Sequence, residues 1–374
     1  METTELEKTE LEQIGEGVPR TDQNARTEAE ARWADQIALP PRSFGRLEKT
    51  GVWLAAVQGV CPPRQIGNAR VVLFAGDHGV AEPDEHGRSA SAYPRSATAA
   101  QVRRIAAGGG PVQSLARTHG AQVRVVDVSV DCPVEDFADL PVELTAGRIR
   151  TGTGRIDREP ASTRAEAAAA FRLGMALADA EVDAGADLLL PGLIGVGHST
   201  PAAVLIAALT GSDAAGVTGR GSGVDDRSWV VKCAAVRDAL RSARKSLSDQ
   251  IDLLATAAGP DFAALTGFLV QAATRRTPVL LDSTGAMACA LLAQRIAFRA
   301  PEWFMVADNN PDPGFRKALE RLSVEPLLDF EVRLGGGCAG LLALPVLRST
   351  IAVFTETGSY ADEGQPEPLV RSRL

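Results

Sequence analysis

The chain has 374 residues, 45% of them hydrophobic and 23% charged, with a net charge of −8. That length suits one large α/β domain with a smaller helical part, and the acidic balance argues against nucleic acid or an anionic membrane surface as the main partner. Five scattered cysteines without a C-x-x-C pair, and histidines 78, 86, 119 and 198 without ligand spacing, predict neither a disulfide framework nor a metal site, and point to a reducing cytoplasm.

Residues 1–26 combine high charge with few large apolar groups and read as a mobile acidic tail. Residues 27–58 carry a helical pattern broken by the Pro-Pro turn at 39–45, in which Trp33 and Trp53 are expected to pack. Residues 70–75 form a buried strand that ends in Gly76-Asp77-His78-Gly79. In an open α/β sheet such a position faces the ligand crevice, although an Asp-His pair can also simply cap a turn. Tyr93-Pro94 opens a helix with Thr98 and Gln101, where an aromatic ring can stack on a flat ligand or serve packing. Gly108-Gly109-Gly110 closes that helix, 123–128 is a second strand, and a helix from 162 to about 183 follows.

The stretch around which these parts are organised is 187–201. Its three leucines read as a short buried strand stopped by Pro191-Gly192, and Gly195 and Gly197 allow the backbone to turn sharply and approach a ligand. Ser199 or Thr200 is placed to cap the next helix, with Pro201 at its first position. Strand, glycine turn and helix N-terminus make a cradle for an anion such as phosphate. The spacing is neither a P-loop nor G-x-G-x-x-G. A second glycine turn at 216–223 precedes a helix with Lys232, one of five lysines in the chain. Strands at 278–282 and 303–308 each end in an acid, and Gly335-Gly336-Gly337 opens a final apolar helix. No apolar run is expected to reach membrane-spanning length, and the polar, acidic start is not read as a signal peptide. Strands alternating with helices predict a doubly wound, mostly parallel sheet across 27–360, a smaller helical part from the N-terminal region, and a C-terminal tail at 361–374.

The runs VLFAGDHGVA, SAYP with T-x-x-Q, GLIGVGHST, VTGRGSG with Lys232, PVLLD and RLGGGCAG resemble, in order and spacing, the nicotinate-nucleotide:dimethylbenzimidazole phosphoribosyltransferase family of cobalamin assembly. The resemblance implies a dimeric enzyme that needs no cofactor. It would move phosphoribose from nicotinate mononucleotide to an aromatic nitrogen base such as 5,6-dimethylbenzimidazole, giving α-ribazole phosphate and nicotinate. Carried over by position, it implies a phosphate anchor of Gly195, Gly197, Ser199, Thr200, Gly219 and Lys232. The base slot would comprise Ser91, Tyr93, Gln101, Ile194 and Leu334.

Several positions depart from the family's pattern. The family's R-L-G-E-G-T-G has a catalytic glutamate where Gly336 stands and a threonine where Cys338 stands. In G-E-M-G-I-G-N-T-T the acid corresponds to Leu193 and the asparagine to His198. The histidines of H-x-S-x-E-x-G-H fall at Asp308 and Phe315. The catalytic residue is therefore left unassigned, with Asp77, Asp282, Asp308, Asp312 and Glu331 as acids that could take the missing role. The alternative to an active transferase is a silent relative that binds a nucleotide or flat base, or partners an active paralogue.

Overall fold

The computed structural model describes residues 6, 8–40 and 42–366. Its centre is a six-stranded sheet made of β1 (Ala69–Gly76), β2 (Gln122–Ser129), β3 (Leu188–Ile194), β4 (Val279–Leu281), β5 (Phe304–Asp308) and β6 (Pro326–Leu328). The spatial order is β2-β1-β3-β4-β5-β6 and every pairing is parallel. The chain goes outward from β1 to β2 and then returns past β1 to β3. The direction of winding therefore reverses between β1 and β3, the place where open α/β sheets form their ligand crevice.

Strand alternation decides what each face holds. On β1, Val72 and Phe74 enter one buried cluster with Leu189, Leu193, Phe171, Phe262 and Phe268, and the Phe74 and Phe268 rings meet edge to face at 5.5 Å. Val71, Leu73 and Ala75 enter the opposite cluster with Leu188, Leu190, Ile194, Leu344 and Leu347. Both faces are thus covered, which accounts for strands that read as unbroken apolar runs rather than as alternation. Helices Arg164–Asp183 and Pro260–Thr274 lie backbone to backbone on the first face. A Cβ at Gly174 would collide with the Ala264 carbonyl, and one at Gly267 with that of Phe171.

Three expectations need correction here. The N-terminal segment is folded from residue 8 on: helices Lys8–Glu16 and Gln23–Ala31 are present, and Leu6, Leu11 and Val18 are buried in the main core. Few apolar groups sufficed because Leu6, Leu11 and Val18 all enter the main core, while Glu10 is held by Arg172 at 3.0 Å. Residues 1–5 and 7 of that segment, and 367–374 of the expected C-terminal tail, lie outside the described residues. Pro191 and Gly192 do not stop β3, which runs on to Ile194 against β1. What ends is the pairing with β4, present only at Leu189 and Val279. Pro191 has no N–H to offer, and Gly336 packs against Gly192 there, so that a Cβ on Gly192 would sit 2.7 Å from the Gly336 Cα. Lastly, helix Cys338–Glu356 is, by length and composition, long and apolar enough to cross a membrane. Here it lies on the sheet, with Ala339, Leu341, Leu344 and Leu347 fully buried.

The smaller helical part joins both ends of the chain. Trp33 is stacked between Phe44 and Phe354, at 5.7 and 4.8 Å between ring centroids, and Ala29, Ile37, Val52 and Ala55 complete that cluster. Trp53 packs as expected and donates through Nε1 to the Glu302 carbonyl at 3.0 Å. Strand β6 had no signal in the sequence, because it is three residues long and begins with a proline, a residue tolerated at sheet edges.

Candidate active site

The carboxyl ends of β1 and β3 meet at the reversal point, where open α/β sheets form their ligand crevice, and they are tied together. His78 donates its amide to the Val196 carbonyl at 3.1 Å. Asp77 accepts from Thr98 Oγ1 at 2.5 Å and from the Asp131 amide at 2.9 Å, while Thr98 Oγ1 in turn accepts from the Val196 amide at 2.9 Å. Asp77 therefore anchors loops and does not face the crevice; burial is the larger influence on it and raises its pKa. His78 is fully buried with Nε2 at 3.1 Å from Asp261 Oδ2. Asp261 was not legible as a site residue: in sequence it reads as an ordinary acid in the first turn of an apolar helix.

Gly195, at φ +155°, passes so close to β1 that a Cβ would run into the Gly76 carbonyl. Gly197, at φ +90°, would carry its Cβ 3.0 Å from Ala81 Cβ and 3.1 Å from His78 Cβ. Gly195 is thus demanded by packing against the end of β1, and Gly197 by packing against the segment that follows it. The helix that follows is Ser199–Thr210, one residue earlier than a Ser199 cap implies and two earlier than a start at Pro201: His198 is its N-cap residue and contributes no side-chain cap. Ser199 and Thr200 occupy its first turn, where amides and helix dipole favour an anion.

Lys232 comes to the same place from helix Asp226–Ala243. It is 1% exposed, and its Nζ donates to Ser199 Oγ at 2.9 Å and to the Gly219 carbonyl at 3.0 Å. Gly221, at φ +51°, closes the group, since a Cβ there would lie 2.7 Å from Lys232 Nζ. A Cβ on Gly219 would strike the Asp312 carboxylate. Asp312 caps helix Pro313–Leu322 by accepting from the Gly314 amide at 3.0 Å. Burial brings the Lys232 ammonium down to about 8, opposed by the nearby Asp312 charge, and burial likewise raises Asp312. The arrangement is a buried cation, a hydroxyl and a helix N-terminus converging beside a glycine turn.

Of the residues expected at a phosphate, Ser199, Gly219 and Lys232 are in direct contact, Gly195 and Gly197 shape the turn leading to them, and Thr200 is buried with its amide on the Gly197 carbonyl at 3.0 Å. Of those expected at a base, Ser91 holds the preceding loop against the glycine turn. Its Oγ lies 3.4 Å from Ser222 Oγ and accepts from the Tyr93 amide at 3.2 Å. Ile194 is buried beside Gly336, whose Cβ would lie 3.4 Å from Ile194 Cγ2. Tyr93 is 58% and Leu334 52% exposed, and Gln101 is on the exposed side of helix Ser96–Ala106, whereas Ile194 is buried.

Asp282 follows β4 and is 2% exposed. Its carboxylate faces the amides of Gly337, Ala339 and Gly340 without closing a hydrogen bond to them, and burial pushes it up to about 7. Asp308 accepts from the Phe330 and Val332 amides, both at 2.7 Å, and so fixes the segment leading to Leu334.

With this geometry in place, similarities to known proteins are specific. A phosphoribosyltransferase family model matches residues 18–364. A protein of Streptomyces coelicolor named nicotinate-nucleotide–dimethylbenzimidazole phosphoribosyltransferase is 48% identical over 353 residues, covering 94% of this chain and 96% of that relative. One of the same name from Mycobacterium ulcerans is 45% identical over 342 residues, covering 91% and 93%. Among solved structures, that of the Thermus thermophilus enzyme of this name superposes with a TM-score of 0.84 at 31% identity, covering 93% of this chain and all of its own.

Proposed function

The chain belongs to the nicotinate-nucleotide–dimethylbenzimidazole phosphoribosyltransferase family, and we propose from that premise that it transfers phosphoribose from nicotinate mononucleotide to an aromatic nitrogen base such as 5,6-dimethylbenzimidazole. The observation that carries this reading is the meeting of Lys232 Nζ with Ser199 Oγ and Gly219 at the entrance of helix Ser199–Thr210. A buried cation set against a hydroxyl at the positive end of a helix is an arrangement suited to an anion. We assign the donor's phosphate to that group, with Gly195, Gly197 and Thr200 setting its backbone. The base is assigned to the adjoining slot of Ile194 and Gly336, rimmed by Ser91, Tyr93, Gln101 and Leu334.

In the reaction a ring nitrogen of the acceptor attacks C1′ of the ribose. The bond from C1′ to the pyridinium nitrogen breaks, nicotinate leaves with that electron pair, and the N–H proton of the acceptor is released. Holding the phosphate fixes C1′ opposite the acceptor, a positioning effect that can contribute many powers of ten. The absence of a carboxylate at Gly336 favours a second reading, in which the protein binds these ligands without turnover or partners an active paralogue. A homodimer in the cytoplasm completes the proposal. The exposed apolar side chains of Tyr93, Phe330 and Leu334 and the free state of cysteines 61, 132, 233, 289 and 338 support it.

The test is chromatographic detection of nicotinate and α-ribazole phosphate on incubation with nicotinate mononucleotide and 5,6-dimethylbenzimidazole, extended to a panel of azoles. Stoichiometric formation of both products supports transfer. Calorimetric binding of both substrates without product, across the whole panel, overturns it in favour of the silent relative.

A further inference from the structure

A proton must leave the acceptor, and of the five carboxylates that could take it Asp77, Asp308 and Asp312 are already engaged by the protein itself. Asp77 is held by Thr98 and the Asp131 amide, Asp308 by the Phe330 and Val332 amides, and Asp312 by its helix cap beside Lys232. Asp282 is buried against the Gly337, Ala339 and Gly340 amides at the start of helix Cys338–Glu356. Glu331, at φ +57°, stands exposed in the segment past β6.

His198 differs from all of these. It stands at the turn between β3 and helix Ser199–Thr210, one residue before the Ser199 that holds Lys232 and four after the Ile194 that lies against Gly336. Its Nδ1 is 2.6 Å from the Gly195 carbonyl. A carbonyl oxygen only accepts, so Nδ1 carries the proton and Nε2 presents its lone pair. Among the described residues no hydrogen bond occupies Nε2, and the residue is only partly buried, so this lone pair has no partner within the chain.

We propose that His198 Nε2 is the base that takes the proton from the acceptor nitrogen as that heterocycle attacks C1′. The proposal rests on the transferase reading above. The N–H bond of the acceptor breaks, its electron pair returns to the azole ring, the proton moves to Nε2, and imidazolium passes it to water after nicotinate has left. The groups that act on the ring are favourable to this role. Burial, the His78 ring and the Lys232 ammonium keep it neutral, while the Gly195 carbonyl and the Asp261 carboxylate favour the imidazolium that forms on proton capture, and the net effect is a pKa below the usual 6.5. Together with the phosphate cradle, the side chain that orients the donor and the one that deprotonates the acceptor would be consecutive contributions of a single turn.

The experiment compares the intact wild-type protein with His198→Asn and His198→Gln, measuring kcat against pH with 5,6-dimethylbenzimidazole and with benzimidazoles of lower nitrogen pKa, and the affinity for nicotinate mononucleotide by calorimetry. General-base removal predicts that kcat falls roughly 10²-fold in both variants, that the wild-type fall in kcat on acidification disappears, and that the loss shrinks as the acceptor nitrogen becomes more acidic. Affinity for the mononucleotide stays within about twofold. An unchanged kcat and pH profile overturns the proposal while leaving the transferase reading intact. So does a loss expressed in mononucleotide affinity with the pH profile preserved, which would make His198 a donor contact. Failure of the wild-type protein to transfer to any acceptor overturns the transferase reading, and this proposal with it.

Discussion

Replacing Lys232 by methionine preserves side-chain length and removes the charge from the proposed phosphate cradle. The wild-type ammonium is 1% exposed and already engages Ser199 Oγ and the Gly219 carbonyl, so a bound phosphate would meet a desolvated, fixed donor. A hydrogen bond to a charged group contributes about 1.5–3 kcal/mol, which corresponds to roughly 10- to 150-fold in affinity. The assay is calorimetry with nicotinate mononucleotide and, in parallel, with the riboside that lacks the phosphate. The mononucleotide should lose that factor and the riboside almost none. Because burial brings the ammonium down to about 8, wild-type affinity for the mononucleotide should also fall as pH rises through that value, whereas the variant stays flat. Equal losses for both ligands, or none for either, would refute the reasoning.

Other positions give independent checks. Gly195→Ala places a methyl group into the Gly76 carbonyl at a φ of +155°; it should lower stability by several kcal/mol in denaturant unfolding, of the order of a severe backbone clash, and a mild effect would contradict the turn described. A Cβ at Gly336 meets only ordinary contacts but sits at φ +69°, so Gly336→Ala should cost about 1–2 kcal/mol and remain folded, as read from its thermal midpoint. Asp282 binds a proton more tightly folded than unfolded, its pKa going from 3.8 to about 7. Between those values the native state holds the extra proton, so stability falls as pH rises from about 4 to about 7 and stays low above. Asp282→Asn should remove that slope and gain roughly 2–4 kcal/mol at pH 8, measured by urea unfolding across pH; an unaltered slope would assign it to other groups.

The frame of the molecule was legible because burial on both sheet faces leaves long apolar runs. The runs at 70–75, 123–128 and 303–308 stand in the structure as β1, β2 and, from Phe304 on, β5. What could not be read depends on partners distant in sequence. Pro191 is tolerated in a central strand only because β4 stops pairing beside it and the loop around Gly336 comes in. The helix at Lys8–Glu16 is held by core residues contributed from far along the chain. The meeting of Lys232 with Ser199 was foreshadowed by two glycine turns, each followed by a helix. Asp261, by contrast, becomes visible only when the fold sets it against His78 at 3.1 Å. Asp77 and Asp308 had the right position at strand ends to look like site groups, yet the folded chain uses both to hold its own backbone.

The most direct measurement of the central claim is a crystal structure of the protein soaked with nicotinate mononucleotide. The account predicts phosphate oxygens within hydrogen-bonding distance of Lys232 Nζ and Ser199 Oγ, and the nicotinate ring directed toward Ile194 and Gly336. A mononucleotide bound with its phosphate away from Lys232, or a crevice that stays empty at saturating ligand, would contradict it.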